Sequence, residues 1–277
     1  MQVMEATGLA YREIKPEIGA QVLAGKLALL GGEHAADIRE LLERRGVLVF
    51  PEADFSEEEL VAFTRTLGTF APDLPNDRVT PISIDPRAGG NAAYTRASFF
   101  WHFDGFMNEV PILGSILCAK VLSSTGGETE FCNTYAAYEA LPDERKRQLE
   151  GMQAVHALAG AQRAVEPEPS YETFQQWLKV RRNTLPLVWK HRSGRKSLVI
   201  GNTAVGVLGM DPLDGLEVLV WLRDWATQDR FRYTHEWALG DAVLWDNTGT
   251  LHRVRPYPAD SGRLMIRTKL AGEEPFA

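Results

Sequence analysis

Phe99-Phe100-Trp101-His102-Phe103-Asp104-Gly105 is the stretch on which the reading of this chain turns. His102 and Asp104 stand two residues apart. In an extended backbone, residues i and i+2 point to the same face. An imidazole nitrogen and a carboxylate oxygen would then converge, flanked by apolar Phe100, Trp101, Phe103 and Phe106. Two histidines and one carboxylate on one face of a metal make the non-haem Fe(II) ligand set, which leaves other coordination positions open. A His-x-Asp pair also arises readily by chance at this composition. The plain alternative is a strand histidine bonded to a neighbouring acid. The decision rests on whether the rest of the chain supplies a third ligand and a co-substrate site.

Composition narrows the classes first. The chain has 277 residues, 44% hydrophobic and 24% charged, with a net charge of −7 and a pI near 5.5. That is the balance of an ordinary globular protein with room for a sizeable core. No composition shift marks a boundary, so the expectation is one domain over 1–277. The acidic balance argues against nucleic acid or an anionic membrane as partner. The short basic runs Arg145–Arg147 and Lys179–Arg182 read as solvated faces. Cys118 and Cys132 lie in apolar runs and read as buried thiols, which fits a reducing compartment. No stretch reaches the ~18 apolar residues of a membrane span, and Met1 to Ala10 carries no secretory pattern. The expected location is the cytoplasm.

Upstream of the stretch, Ala20 to Leu23 reads as a strand, and His34 to Arg45 as a helix stopped by Gly46. Val47 to Phe50 reads as a buried strand. Ser56 and Glu59 form a capping box that opens a helix ending at Gly68. Residues 69–98 are punctuated by Pro72, Pro75, Pro81 and Pro86 and read as a long loop, the expected lid over the site. Downstream, Ile112 to Leu122 and Glu128 to Cys132 read as strands around a Ser124-Thr125-Gly126-Gly127 turn. Helices are expected at Thr134 to Ala140 and Pro142 to Leu149, then a strand at Ala154 to Leu158. Residues 161–185 read as an insertion with a helix at Tyr171 to Val180. Leu187 to Ile200 reads as a hairpin. A helix at Gly215 to Thr227 is followed by strands at Phe231 to Trp237, Ala242 to Trp245 and Arg263 to Leu270. Short strands with polar turns and grouped helices suggest a mostly β fold with helical decoration, an antiparallel barrel or jelly roll.

Among the other histidines, His34 reads as a surface residue, and His156, His191 and His235 as hydrogen-bonded strand residues. His252 differs. It follows the turn-rich Trp245-Asp246-Asn247-Thr248-Gly249-Thr250-Leu251 and precedes Arg263 and Arg267, four apart. That spacing puts both arginines on one strand face.

Taken together, His102-x-Asp104, Gly126-Gly127-Glu128-Thr129-Glu130-Phe131, Gly240-Asp241, Trp245-Asp246-Asn247, His252 and Arg263-x-x-x-Arg267 resemble the taurine dioxygenase / 2,4-dichlorophenoxyacetate dioxygenase family. The resemblance covers about Val47 to Gly272. Gly194 to Leu198, Ala226-Thr227-Gln228 and His252-Arg253-Val254 look closer to its herbicide-degrading branch. The resemblance implies a double-stranded β-helix (jelly roll, cupin-like) and a dioxygenase using Fe(II), 2-oxoglutarate and O2. It implies His102, Asp104 and His252 as iron ligands and as the catalytic set. It implies Thr129 and Arg263 as the clamp on the distal carboxylate of 2-oxoglutarate. Arg267 would bind the C1 end of 2-oxoglutarate or an anionic group of the prime substrate. Ser98, Phe103 and Met107 are the other candidate substrate contacts.

One departure bears on the substrate. Taurine dioxygenase places His and Tyr shortly after its Leu-Gly, whereas Leu67-Gly68 here is followed by Thr69-Phe70-Ala71-Pro72-Asp73. Taurine is therefore disfavoured. The expected reaction is hydroxylation of a small anionic substrate, a carboxylate with an apolar or aromatic body, releasing succinate and CO2. A sulfonate or alkylsulfate dioxygenase of the same family is the alternative. A zinc hydrolase using the same ligands and a non-catalytic jelly-roll binding protein are the alternatives of another class. A homo-oligomer, dimer or tetramer, is expected.

Overall fold

The structure, a computed structural model, describes residues 3–6, 8–73, 78–85, 87 and 92–277. The chain opens with strands β1 (Val3–Ala6), β2 (Leu9–Glu13) and β3 (Ala20–Val22) and helices α1 (Lys26–Gly31) and α2 (Ala35–Arg45). Helix α2 buries Ile38, Leu41 and Leu42 and stops at Gly46, whose φ of +70° and N–H bond to Leu42 make a left-handed cap. Strand β4 (Val47–Phe50) is buried throughout. Helix α3 (Glu57–Leu67) starts at a true capping box: Ser56 Oγ accepts from Glu59 N, and Ser56 N donates to the Glu59 carboxylate.

Next come β5 (Thr80–Ile82), α4 (Ala92–Arg96), β6 (Gly114–Val121), β7 (Thr129–Asn133), α5 (Thr134–Glu139) and α6 (Asp143–Leu149). They lead into β8 (Gln153–His156), α7 (Leu158–Val165), α8 (Tyr171–Leu178), β9 (Asn183–Pro186), β10 (Val188–Lys190), β11 (Lys196–Leu198), β12 (Ala204–Val207) and α9 (Pro212–Ala226). Strands β13 (Arg232–His235), β14 (Ala242–Asp246), β15 (Thr250–Val254) and β16 (Leu264–Leu270) close the chain.

The large sheet runs β1-β2-β3-β4-β14-β6-β16-β5, and a second sheet runs β13-β7-β15. Alternation along the strands of the large sheet feeds two cores. One face sends Leu48, Phe50, Ile116, Cys118, Leu244 and Ile266 under α2 and α3. The other sends Val47, Val49, Leu117, Val243, Trp245 and Met265 toward Phe131 and Tyr233 of the second sheet. A third cluster, built on α5, α9, β10 and β11, takes in Trp101, Phe103, Phe106 and Leu251. The His102–Asp104 stretch thus lies where the second and third cores meet. Both cysteines are buried and free.

Several sequence expectations change. Residues 69–98 are not one uninterrupted loop, since β5 and α4 lie within them. Strand β5 tolerates Pro81 because it is an edge, where a missing N–H breaks no inner ladder; Pro75 and Pro86 lie outside the described residues. Helix α7 and strands β9 and β12 have no counterpart in the sequence reading. The turn-rich connection after Trp245 closes within Asn247–Gly249 and becomes strand β15. Residues 101–104 form an isolated bridge to β15, not a strand.

Candidate metal centre

That bridge builds the centre. His102 N donates to His252 O at 3.0 Å, and His252 N to His102 O at 2.8 Å. A reciprocally bonded antiparallel pair puts both side chains on one face, and the imidazole centroids are 4.1 Å apart. Asp104, two residues on, joins that face. Its oxygens lie 3.8 Å from His102 Nε2 and 3.9 Å from His252 Nε2. Each separation is shorter than two metal–ligand bonds of about 2.1 Å end to end, so one ion can span each pair. All three ligand atoms lie within 4.8 Å of one another.

The surroundings preset these groups. His102 Nδ1 sits 2.9 Å from Phe100 O. A carbonyl only accepts, so the proton is on Nδ1 and the Nε2 lone pair faces the centre. Asn247 pins the backbone of Asp104 from both sides: its Oδ1 accepts from Asp104 N at 2.8 Å and its Nδ2 donates to Asp104 O at 2.9 Å. Burial opposes ionisation of Asp104, but Arg267, His252 and His102 overcome it and hold the carboxyl at about 2. Burial, followed by the neighbouring His102, drives His252 well below the usual imidazole range. An ionised Asp104 carboxylate beside a neutral His252 imidazole is a protonation state that suits a divalent cation. The residues present therefore fit a metal ion.

Arg263 is 3% exposed. Its Nη2 donates to Gly127 O at 3.0 Å, and its guanidinium stacks 4.7 Å from the Tyr257 ring. Among the described residues no carboxylate pairs with it. A buried guanidinium without an acid is placed to receive one from a ligand. Thr129, buried on β7, accepts from Trp237 Nε1 at 3.0 Å. Trp237 and Arg263 line one cavity of about 260 Å3 together with Gly126, Gly127 and the acids Glu128 and Glu236, of which Glu128 acts on Arg263 without an ion-pair contact.

Arg267 reaches the centre itself, donating from Nη1 to Asp104 at 3.2 Å. The register shifts opposite Lys120 of β6, since Leu264 pairs with Val121 and Met265 with Ala119, and Arg263 lies just before β16. Nη2 of Arg267 donates to Asp73 at 3.1 Å, a partner that sequence reasoning missed. Ser98 is half-buried on a short helical turn at Ala97–Phe99. Phe103 alternates away from its two flanking ligands. Its ring packs on His156 and Phe276 in the third core, so it backs the ligand stretch. Met107 also packs against that core. Trp245 is a core ring 4.8 Å from His252. Asn247 was visible within the Trp245-Asp246-Asn247 run but had no role until Asp104 was seen against it.

Comparison with known proteins follows the same lines. The family described as "Taurine catabolism dioxygenase TauD, TfdA family" matches residues 10–269. The (S)-phenoxypropionate/alpha-ketoglutarate-dioxygenase of Sphingobium herbicidovorans is 32% identical over 268 residues, 92% of each chain. An alkylsulfatase of Acinetobacter baylyi is 32% identical over 278 residues, 96% of this chain and 86% of that protein. The crystal structure of AAD-2 with Mn(II) and N-oxalylglycine superposes with a TM-score of 0.86 at 30% identity, covering 96% of this chain and 99% of that one. A family match across nearly the whole chain agrees with the His-Asp-His centre, and the chain belongs to the TauD/TfdA family as a non-haem iron dioxygenase dependent on Fe(II), 2-oxoglutarate and O2.

Proposed function

We propose that this dioxygenase hydroxylates a C–H bond of a small carboxylate with an apolar or aromatic body, an aryloxyalkanoate or a natural-product acid, with release of succinate and CO2. The observation that carries the reading is the His102, Asp104 and His252 set, in a chain that also holds Arg263, a buried guanidinium in ion-pair contact with no acid among the described residues. The relative that acts on phenoxypropionate supports the substrate class. Arg267 beside Asp104 supports a substrate with negative charge. The alkylsulfatase relative supports a second reading, in which the anionic headgroup is a sulfate ester or sulfonate.

In this reading the fold is a double-stranded β-helix, and residues 1–277 form one domain. The described parts of residues 69–98 cover the site, with 74–77, 86 and 88–91 outside the described residues, and 161–185 are an insertion. The assembly is a dimer or tetramer in the cytoplasm; among the described residues no helix is long and apolar enough to cross a membrane.

His102, Asp104 and His252 would hold the iron, which when bound supplies the O2-dependent oxidation coupled to decarboxylation of 2-oxoglutarate. The protein's own part is binding and orientation. His102 presents Nε2 because Phe100 O holds its other nitrogen, and Asn247 fixes where the Asp104 carboxylate lies. Thr129 and Arg263 take the distal carboxylate of 2-oxoglutarate, the hydroxyl and the guanidinium together setting how far the co-substrate enters. Arg267 keeps Asp104 ionised and offers a cation to the prime substrate, while Ser98 and Met107 border that substrate. The aromatic wall behind the ligand stretch, Trp101 and Phe103, keeps water from the centre's rear.

An anaerobic titration with Fe(II) and 2-oxoglutarate tests the site. A visible metal-to-ligand charge-transfer band is expected, and succinate release over a panel of aryloxyalkanoates, sulfonates and alkyl sulfates then assigns the class. Iron binding without that band would remove Thr129 and Arg263 as the co-substrate clamp.

A further inference from the structure

Three donors on the large sheet converge at the mouth of the centre. Arg267 and Lys269 lie two apart on β16, on the face of Met265, and Thr80 of β5 pairs with Arg267 across the strands. All three bind one carboxylate. Asp73 accepts from Arg267 Nη2 at 3.1 Å, from Thr80 Oγ1 at 2.9 Å and from Lys269 Nζ. The donors are fixed by strand pairing, and the acceptor alone comes from coil. The chain is tied to β16 as far as Ala71, whose N donates to Lys269 O at 2.9 Å, and Asp73 comes two residues later.

This is an anion site one guanidinium away from the metal ligands, because the same Arg267 binds Asp104 through Nη1. Asp73, Arg267 and Lys269 keep side-chain exposures of 29%, 22% and 17%, so water reaches the cluster. Arg267 Nε is buried without a partner. A second anion placed beside Asp73 would be repelled by its like charge. One carboxylate replacing another keeps both the charge balance and the hydrogen bonds. A neutral molecule offers the two cations nothing in return for Asp73.

We propose that Asp73 stands in for the anionic headgroup of the prime substrate, which binds by exchanging with Asp73 on Arg267, Lys269 and Thr80. This rests on the anionic-substrate reading above and makes Asp73 and Lys269 specificity-determining residues. Asp73 holds Nη2 of Arg267 and the Lys269 ammonium, and so withholds them from neutral ligands, until an organic anion displaces it.

The test is calorimetric titration of the full chain loaded with Mn(II) and 2-oxoglutarate under anaerobic conditions. The probes are (S)-2-phenoxypropionate, its methyl ester and hexyl sulfate. Asp73→Asn keeps the shape and removes the competing charge. It is expected to bind the anionic probe about tenfold more tightly than the parent, with the ester unchanged. Lys269→Gln is expected to weaken the anion and not the ester. Amide hydrogen exchange at residues 71–73 should quicken when the anion binds the parent protein. Unchanged or weaker anion binding in Asp73→Asn overturns the exchange and makes Asp73 a fixed counter-ion. Absence of anion binding in both proteins overturns it as well. The oxygenase reading stands or falls separately on the charge-transfer band, to which Asp73 does not contribute. If hexyl sulfate alone binds, and more tightly to Asp73→Asn, the exchange stands and the carboxylate class falls.

Discussion

At the scale of single residues, the centre is made by one reciprocal backbone bridge. His102 and His252 are neighbours because their own N–H and C=O groups pair, not because either sits in a long ladder. Removing one imidazole leaves two ligands on a preformed face. His102→Ala is expected to lower Fe(II) affinity by more than about 100-fold, beyond the loss typical of a supporting residue, and to abolish turnover with it. Equilibrium dialysis reads the first and succinate release the second; retained iron would discard the triad. Arg263 is a different case. Arg263→Gln leaves the three metal donors untouched but removes the cation from a buried site. Truncating one side of a buried charge pair costs about 2–5 kcal/mol. The variant should therefore bind iron normally and need far more 2-oxoglutarate. An unchanged 2-oxoglutarate requirement would take Arg263 out of the clamp.

At the scale of elements, what could be read from sequence was whatever local chemistry decides. The capping box at Ser56, the Gly46 stop and the strand at Ala242 to Trp245 all stand as expected, because each depends on residues within one or two turns of itself. His102, Asp104 and His252, implied together by the family resemblance, lie close enough in the structure to hold one ion. Strands β5 and β15 were not legible, because their pairing partners are distant: Thr80 faces Arg267 and His252 faces Phe131. Asp73 was illegible for the same reason, lying in a Pro-rich run with every partner elsewhere. The turn between β6 and β7 shows how an element serves the site. Gly127 has φ +88°, and a Cβ there would lie 2.8 Å from Arg263 Nε; Gly194 has φ +87° with open space around it. A left-handed non-glycine residue costs about 1–2 kcal/mol. Gly127→Ala and Gly194→Ala should both lose about that much stability in urea melts. Only Gly127→Ala should also weaken 2-oxoglutarate, because only there does the methyl push the guanidinium. Equal co-substrate affinity in the two variants would show that the turn does not set the position of Arg263.

At the scale of the molecule, the centre depends on the core behind it, and that core contains a titratable group. His156 of β8 is fully buried, with its ring against Phe103 and Phe106 and its Nδ1 2.8 Å from Thr203 Oγ1. Burial lowers its pKa from 6.5 to about 4. The folded protein thus keeps His156 neutral over a range in which the unfolded chain takes up a proton. Stability is whole above pH 6.5 and falls as the pH drops toward 4, because the unfolded state binds more protons throughout that window. At 1.36 kcal/mol per pKa unit the full loss is about 3 kcal/mol, of which about 2 kcal/mol is gone at pH 5. Metal-free protein is the right material, since loss of metal at low pH then does not enter the comparison. His156→Gln can still bond Thr203 but carries no titrating ring. Guanidinium midpoints at pH 7 and pH 5 should therefore move less in His156→Gln than in the parent, by about 2 kcal/mol once converted through the denaturant slope. Parallel loss in both proteins would place the acid sensitivity elsewhere and leave the core behind Phe103 indifferent to pH.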